Sequence, residues 1–312
     1  MDPKTSDPVF IMKSAEPVHS LLFLHDFLLA GNQDGSVSFW DMKTHRMDST
    51  QSVFTGSSAC VRMCYVDGHL ITQDRMGLVK VWSQEESKWN INFEMQLTYC
   101  GLCRLDGICD YSGIMACPQK KSDIEIFHVN SGKKISTLTP VGMDPLGDVV
   151  ICKFIEVCGS TYLLTVYEIG AAVLWDLKVN NLVTHYKFDG LPMTLDYDEV
   201  HCQGICGASS KKIQIFELDK SQNFHIIQKI KLHKSAVGCV RIKPDRSSVV
   251  IGGWDGKLRY FTWNSFQPLD VNAVHSKAIE DISFSEKGCV GLVPECVMAV
   301  GSLDCRISLW KS

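Results

Sequence analysis

One short pattern recurs seven times along this chain, and that repetition restricts the possible folds more than any other feature. Each copy is a turn containing Asp or Gly, followed by a segment of alternating polar and apolar residues that ends on an aromatic side chain. The closing aromatics are Trp40, Trp82, Phe127, Trp175, Phe216, Phe261 and Trp310. They stand 42, 45, 48, 41, 45 and 49 residues apart, so the copies form a regular array.

This spacing predicts an all-β, seven-bladed β-propeller. Units of about 40 to 45 residues are typical of four-stranded propeller blades. A β-sandwich would share the strand patterning, but it would not require seven copies at one spacing. We predict a single propeller domain over residues 1–312, with blades at approximately 17–54, 58–95, 99–140, 148–188, 192–230, 234–274 and 276–312.

The two ends of the sequence predict how the ring closes. The last unit reaches Ser312 one strand short of four, whereas residues 8–13 form a spare strand ahead of the first blade. We expect this N-terminal strand to pair with residues 306–310 and complete the last blade. The pairing would cover an edge that is otherwise open to association with other chains.

The repeats resemble the WD-repeat family, in which Trp-Asp pairs such as Trp40-Asp41 and Trp175-Asp176 end the third strand of a blade. The stretch Gly253–Trp263 and the closing residues 306–310 are similar, more narrowly, to the guanine nucleotide-binding protein subunit beta-like and ASTRA-associated WD-repeat proteins. This resemblance implies a non-catalytic scaffold for protein–protein interactions. It further implies a link to the Tel2–Tti co-chaperone, which matures phosphatidylinositol-3-kinase-related kinases, or to an ASTRA-type chromatin complex.

Two other functions are considered. Substrate receptors of cullin-type ubiquitin ligases often carry Arg two positions after the Asp of a Trp-Asp pair, where this chain has Lys43 and Lys178. A G-protein β-like signalling subunit is less favoured, since it would need a long N-terminal helix to pair with a gamma subunit. Pro3 and Pro8 interrupt the about 16 residues before the first blade. We therefore expect no G gamma partner.

The resemblance also implies a structural hydrogen-bond network, which in the family links a His before a blade's first strand to the Asp of its tight turn. In this chain the network maps onto His275, Ser302, Asp304 and Trp310 in the last blade, onto His233 and Asp255 in the sixth, and onto His19 and Asp34 in the first. We expect these residues to be structural rather than catalytic, because a buried Asp is tolerated when donors satisfy it.

The sixth unit carries the strongest charge asymmetry. Between Lys229 and Arg259 eight basic residues stand against two acidic ones, a net +6 in a chain whose total is −4. Trp254 lies in a turn of the same unit, and an exposed Trp is a common interface anchor. We predict that Trp254, Lys243, Lys257 and Arg259 contact an acidic protein partner. A solvated blade edge and a Trp packed on its neighbour remain the alternatives.

Signatures of catalysis are missing from the sequence. It contains no phosphate-binding G-x-x-x-x-G-K-[ST] loop, no G-x-S-x-G elbow and no H-E-x-x-H pair, so we expect neither enzymatic activity nor a cofactor. Cys100 and Cys103, with Cys109 behind them, have zinc-knuckle spacing. No second C-x-x-C completes four ligands, and we expect no metal.

Charge and hydropathy also restrict partner and compartment. A net charge of −4 and the lack of aromatic residues interleaved with the basic ones disfavour nucleic acid as a partner. The polar N-terminus is unlike a signal peptide, and the apolar runs are too short to span a membrane. The 14 cysteines lie mostly in apolar strands, as free thiols do. We expect a cytoplasmic or nuclear protein without membrane contact.

Overall fold

The computed structural model describes residues 7–56, 58–86, 88–98, 103–109, 113–232, 236–285 and 296–311. Within these ranges the chain is all-β, and its strands form seven four-stranded antiparallel sheets. Six sheets consist of four consecutive strands, and the seventh takes its outer strand from the N-terminus. The seven-bladed β-propeller that the repeat spacing predicts is confirmed.

The chain divides into two compact units, Met1–Met63 with Lys234–Ser312 and Cys64–His233. Blades 1, 6 and 7 belong to the first unit. Blade 1 contains β2 (Val18–Leu24), β3 (Phe27–Asn32), β4 (Ser36–Asp41) and β5 (Arg46–Phe54). Blade 6 contains β22 (Val237–Ile242), β23 (Ser248–Gly253), β24 (Lys257–Thr262) and β25 (Pro268–Ala273). Blade 7 contains β26 (Ile279–Phe284), β27 (Val297–Ser302), β28 (Arg306–Lys311) and β1 (Phe10–Lys13).

The second unit contains blades 3 to 5 and most of blade 2, whose first strand begins just before it. Blade 2 contains β6 (Cys60–Val66), β7 (His69–Asp74), β8 (Leu78–Glu85) and β9 (Lys88–Gln96). Blade 3 contains β10 (Asp106–Ile108), β11 (Ile114–Pro118), β12 (Ile124–His128) and β13 (Lys134–Leu138). Blade 4 contains β14 (Val149–Val157), β15 (Ser160–Tyr167), β16 (Ala171–Asp176) and β17 (Asn181–Lys187). Blade 5 contains β18 (Pro192–Asp198), β19 (Gln203–Ala208), β20 (Lys212–Leu218) and β21 (Phe224–Lys231).

Alternation explains why these segments are strands. In β4, Val37 and Phe39 are buried while Ser36 and Ser38 are partly exposed, as expected of a half-buried strand. The second strand of blade 6, β23, is buried at all six positions, which is why its sequence is a continuous run of small and branched residues. Apolar side chains from adjacent strands then form the core of each unit, for example around Trp40 and Met12 in the first.

The N-terminal strand closes blade 7 as predicted. It pairs antiparallel with β28, with Phe10 opposite Leu309 and Lys13 opposite Arg306. Met12 is the anchor of this strand, because its side chain is 2% exposed and packs among Leu28 and Ile307. In the described ranges no helix is long and apolar enough to cross a membrane.

Candidate functional site

A continuous chain of hydrogen bonds runs through blade 7. The indole N–H of Trp310 donates to Ser308 Oγ (2.9 Å), and Ser308 Oγ lies 2.9 Å from His275 Nε2. His275 Nδ1 lies 3.1 Å from both carboxylate oxygens of Asp304. These distances fit a neutral imidazole that donates from Nδ1 to the carboxylate and accepts the serine proton at Nε2. The buried side-chain atoms of Trp310, Ser308 and His275 in this network then all have hydrogen-bond partners.

The electrostatics of this network favour the neutral histidine. Burial lowers the pKa of His275 below its usual 6.5, and the Asp304 carboxylate offsets only part of that effect. Burial alone would raise the pKa of Asp304, but hydrogen bonds from the Ser276 backbone N–H and from His275 leave it below its usual value. The arrangement is a buried network whose side chains satisfy one another and whose Ser308 hydroxyl and His275 imidazole are shielded from solvent.

The structure adds a second serine, Ser308, to the network in which the sequence predicts Ser302. Ser302 is buried at the end of β27, where its hydroxyl donates to the Lys277 carbonyl and accepts from the Asp304 backbone N–H. The hydroxyl between His275 and Trp310 belongs to Ser308. Ser308 stands two residues before the tryptophan, so its side chain lies on the same face of β28. A serine two residues before the closing tryptophan is therefore the sequence signal for this position.

In blade 1 the sequence pairs His19 with Asp34, but the contacts of His19 that the structure gives are to Gln33 and Glu280. His19 Nε2 lies 2.5 Å from Gln33 Oε1, and its Nδ1 lies 3.5 Å from Glu280. Asp34 instead accepts hydrogen bonds from the backbone N–H and hydroxyl of Ser36, which close its turn. Gln33 directly precedes the turn, and its amide oxygen contacts His19 as the carboxylate of Asp304 contacts His275 in blade 7.

In blade 6 a cation from the strand that follows its turn binds Asp255. Arg259 holds the Asp255 carboxylate with two N–H donors at 3.0 and 2.6 Å, and this contact lowers the pKa of Asp255. His233, which the sequence pairs with Asp255, lies outside the described residues.

Tryptophans elsewhere reach a different acceptor. The indole N–H groups of Trp82 and Trp175 donate to Thr72 and Thr165 at 2.9 Å, across to the second strand of their own blades. These threonines are buried, and each stands ten residues before its tryptophan. Sequence reasoning did not single them out, although the fixed offset in two blades is a usable signal.

Trp254 is exposed, and cationic residues surround its turn. Its side chain is 50% exposed, while one ring edge lies against Gly238, where an added Cβ would come within 3.2 Å of the ring. Gly256, at φ +73°, lets the turn approach the loop that carries exposed Lys277, since a Cβ there would lie 2.9 Å from the Lys277 carbonyl oxygen. We call Trp254, Lys257, Lys277 and the Asp255–Arg259 pair the Trp254 surface.

Lys243 does not belong to the Trp254 surface. It lies in the turn before β23, whereas Trp254 lies in the turn after it, so the six residues of β23 separate the two side chains. A strand of that length spans about 20 Å. Lys243 is also within 3.4 Å of Asp245 in its own turn. The structure therefore places the four predicted partner contacts at two ends of one blade.

Ion pairs neutralise half of the eight basic residues between Lys229 and Arg259. The ion pairs are Lys229–Asp189, Arg241–Asp281, Lys243–Asp245 and Arg259–Asp255. Two of these carboxylates, Asp189 and Asp281, come from outside the segment, so the count of +6 overstates the positive charge that a partner meets. Lys257 is partly exposed and makes no ion pair among the described residues, which leaves it as an unpaired positive charge three residues after Trp254.

The zinc-knuckle spacing falls partly outside the described residues, because Cys100 is not described. Cys103 is fully buried, and burial raises the pKa of its thiol well above the usual value. Cys109 is exposed. In the part of the chain that the structure covers, no three His, Cys, Asp or Glu side chains are arranged to hold a metal ion.

Comparison with known proteins gives one repeat-level match and several relatives. The WD domain, G-beta repeat family matches residues 224–262, the end of blade 5 and most of blade 6. Guanine nucleotide-binding protein subunit beta-like protein 1 of Mus musculus is 28% identical over 325 residues, covering 99% of this chain and 97% of that protein.

Two fungal proteins match a shorter region. ASTRA-associated protein 1 of Schizosaccharomyces pombe is 35% identical over 72 residues, 23% of this chain and 18% of its own length. Its namesake in Schizosaccharomyces japonicus is 34% identical over 74 residues, 23% of this chain and 18% of its own length. The chain is thus a propeller of seven four-stranded blades, with a WD-repeat match at the end of blade 5 and in blade 6, and it resembles guanine nucleotide-binding protein subunit beta-like protein 1 over nearly its full length.

Proposed function

We propose that this chain is a non-catalytic protein-interaction scaffold that acts with the Tel2–Tti co-chaperone in the maturation of phosphatidylinositol-3-kinase-related kinases, in an ASTRA-type chromatin complex, or in both. The observation that carries the proposal is similarity to two kinds of WD-repeat protein, one along nearly the whole chain and one named as ASTRA-associated. Such a role places the protein in the cytoplasm, the nucleus or both.

The state of the polar groups supports a scaffold. The buried His275 and Asp304 are satisfied by each other and by Ser308 and Ser276, so they are not free to act on a substrate. Recognition then falls to loops held on a rigid frame. The Trp254 surface offers such a loop, with a large exposed ring beside an unpaired lysine.

An acidic, partly apolar protein segment suits the Trp254 surface. The ring of Trp254 would supply the buried area at the centre of the contact, and Lys257 and Lys277 would supply attraction to carboxylates. Arg259 contributes less, because its side chain is 11% exposed and already holds Asp255. Its place in the proposed surface is to hold the turn in position.

Affinity purification of the tagged full-length chain from cells that express it naturally, followed by mass spectrometry, tests the proposal. We expect kinase-maturation factors or chromatin-complex subunits to co-purify with the wild-type chain and to be depleted with Trp254→Ala. A matched variant at another exposed apolar residue, Val141→Ala, should retain them.

Other partners would overturn the proposed function. Recovery of a cullin adaptor without kinase-maturation factors would assign the chain to ubiquitin ligases, although Lys43, at one of the two diagnostic positions, is bound to Asp26 at 2.6 Å. Recovery of a G gamma subunit would point to G-protein signalling.

A further inference from the structure

Two cysteines outside the Trp254 surface meet where blades 4 and 5 turn. Cys158 lies in the two-residue turn between β14 and β15, and Cys202 lies in the turn between β18 and β19. Their φ angles are +50° and +53°, so sharp backbone turns fix the direction of both side chains. The two thiols are neighbours, and after desolvation the Cys202 sulfur is the largest cause that raises the pKa of Cys158. The Cys202 thiol donates to the Glu199 carbonyl oxygen at 3.7 Å.

The packing of the two blades holds these turns together. Val157, directly before Cys158, belongs to the same buried cluster as Tyr197 and Leu218, and Cys202 packs against that cluster. An ion pair of 3.1 Å between Lys153 of β14 and Asp196 of β18 joins the same two strands. The thiols are therefore brought together by the fold of the second unit and do not depend on side-chain mobility.

The buried hydroxyl of Tyr197 lies near the two cysteines. The side chain of Tyr197 is 8% exposed, and its Oη has no hydrogen-bond partner within the described ranges. Burial, and after it the nearby Cys202 sulfur, raise the pKa of this hydroxyl. An unpaired buried hydroxyl costs about 1 to 3 kcal/mol. A change in the position or charge of the Cys202 sulfur would give this hydroxyl a partner.

We propose that Cys158 and Cys202 are a reversible dithiol–disulfide pair, oxidised by a low-molecular-weight disulfide such as oxidised glutathione. The Cys158 thiolate attacks one glutathione sulfur, so a mixed disulfide forms and the first glutathione thiolate leaves. The Cys202 thiolate then attacks the Cys158 sulfur and releases the second. The protein loses two electrons and two protons, which end on two molecules of reduced glutathione.

Exposure assigns the two roles. Cys158 is exposed and takes the first attack, whereas Cys202 is half-buried and resolves the mixed disulfide from its neighbouring turn. Partial desolvation and the adjacent Cys202 sulfur raise the pKa of Cys158, with Lys220 opposing and Asp219 adding to that effect. The thiolate is therefore scarce at neutral pH, and the first step is slow. The second step is intramolecular and needs no diffusion. The pair would stay reduced except under sustained disulfide stress.

The experiment is incubation of the full-length protein in glutathione buffers with an increasing oxidised share, followed by intact mass measurement and non-reducing peptide mapping. We expect the loss of two hydrogens and a peptide that links Cys158 to Cys202. Cys158→Ser and Cys202→Ser should each reduce the linked peptide to background and leave one glutathione adduct on the surviving thiol. Cys109→Ser, which removes another exposed cysteine, should give the linked peptide at the wild-type yield.

The wild-type protein itself decides the outcome, so a variant that folds poorly does not leave the proposal open. Separate glutathione adducts on Cys158 and Cys202, with no linked peptide at any buffer ratio, would overturn it. So would a linked peptide that joins either cysteine to a different one. A higher melting temperature of the oxidised wild type than of the reduced form, absent in both serine variants, would show that the bond joins the blades as proposed.

Discussion

At the scale of single residues, the buried network of blade 7 makes stability depend on pH. His275 is neutral in the folded state because burial lowers its pKa below 6.5, so the unfolded chain binds its proton more readily. The contribution of a histidine with a lowered pKa is present above its unfolded pKa and is lost as pH falls below that value. Asp304, whose pKa is also lowered, acts in the same direction further into acid.

We therefore expect the free energy of unfolding, measured by urea titration, to fall between about pH 7.5 and pH 5. His275→Gln should lose about 2 to 4 kcal/mol at neutral pH, because it breaks the hydrogen bonds to Asp304 and Ser308. It should also flatten the dependence on pH. His185→Gln, at an exposed position, serves as the control with a wild-type slope. An unchanged slope in His275→Gln would show that other groups set the acid sensitivity.

The blade 7 network also shows which single residues of a hydrogen-bond network can be predicted from the sequence. His275, Asp304 and Trp310 were identified by their places around a turn and a strand, and the structure brings them into one chain of contacts. The predicted Ser302 contacts the backbone N–H of Asp304, whereas Ser308, which the prediction omits, lies between His275 and Trp310. Two serines near the same turn cannot be told apart by spacing alone. The face of the strand on which each lies, which depends on register, decides between them.

At the scale of strands, the closing tryptophans test whether an indole hydrogen bond stabilises a blade. Trp175 donates to the buried Thr165, whereas the indole nitrogen of Trp40 in blade 1 has no partner within the described residues. Both rings are buried. Replacement by Phe removes a similar volume at each site, so the two variants differ mainly in the lost hydrogen bond.

We expect Trp175→Phe to lower the free energy of unfolding by about 1 to 2 kcal/mol more than Trp40→Phe does. Urea unfolding of the two purified variants beside the wild type measures the difference. Thr165→Val should reproduce most of the additional loss, because it removes the acceptor and leaves the indole nitrogen unpaired. Equal losses in the two Phe variants would mean that ring packing, and not the hydrogen bond, accounts for the tryptophan.

The N-terminal strand is the second test at this scale. Deletion of residues 1–13 removes all four residues that pair with β28 and exposes that edge, so we expect a lower melting temperature. Deletion of residues 1–7, which spares β1, is the matched control. Within the strand, Met12→Asp should destabilise by about 3 kcal/mol or more, because it places a charge in the core. Ile11→Asp, at a 40% exposed position, should have a small effect. A wild-type melting temperature for the longer deletion would contradict the closure of blade 7 by this strand.

At the scale of the whole molecule, the sequence predicted the fold further than the site. Seven aromatics at one spacing are a property of the entire chain, and a local error in one blade does not alter the count. The partner contacts depended on how neighbouring turns are arranged, and there a charge count along the chain was misleading. Lys243 and Trp254 are eleven positions apart in sequence. An intervening strand nevertheless carries them to opposite ends of blade 6.

Because Lys243 and Trp254 lie at opposite ends of blade 6, charge changes at the two ends can test whether a partner docks on the Trp254 surface. If an acidic partner docks on Trp254, Trp254→Ala should weaken binding by about 1 to 3 kcal/mol while the melting temperature changes little, since half of the ring is exposed. Lys257→Glu should slow association and reduce its dependence on salt, because it removes an unpaired positive charge from the Trp254 surface. Lys243→Glu makes the same change of charge at the far end of β23, beside Asp245, and should leave the association rate close to wild type.

Surface plasmon resonance with a partner recovered by the affinity purification, at several salt concentrations, measures all three variants. Equal slowing by Lys257→Glu and Lys243→Glu would mean that net charge steers the partner and that the Trp254 surface does not. If Trp254→Ala unfolds the protein while the remaining folded fraction binds normally, the ring is part of the packing against Gly238 and the partner docks elsewhere. Loss of binding in Trp254→Ala and Lys257→Glu, with normal binding in Lys243→Glu, would place the partner at the turn between β23 and β24.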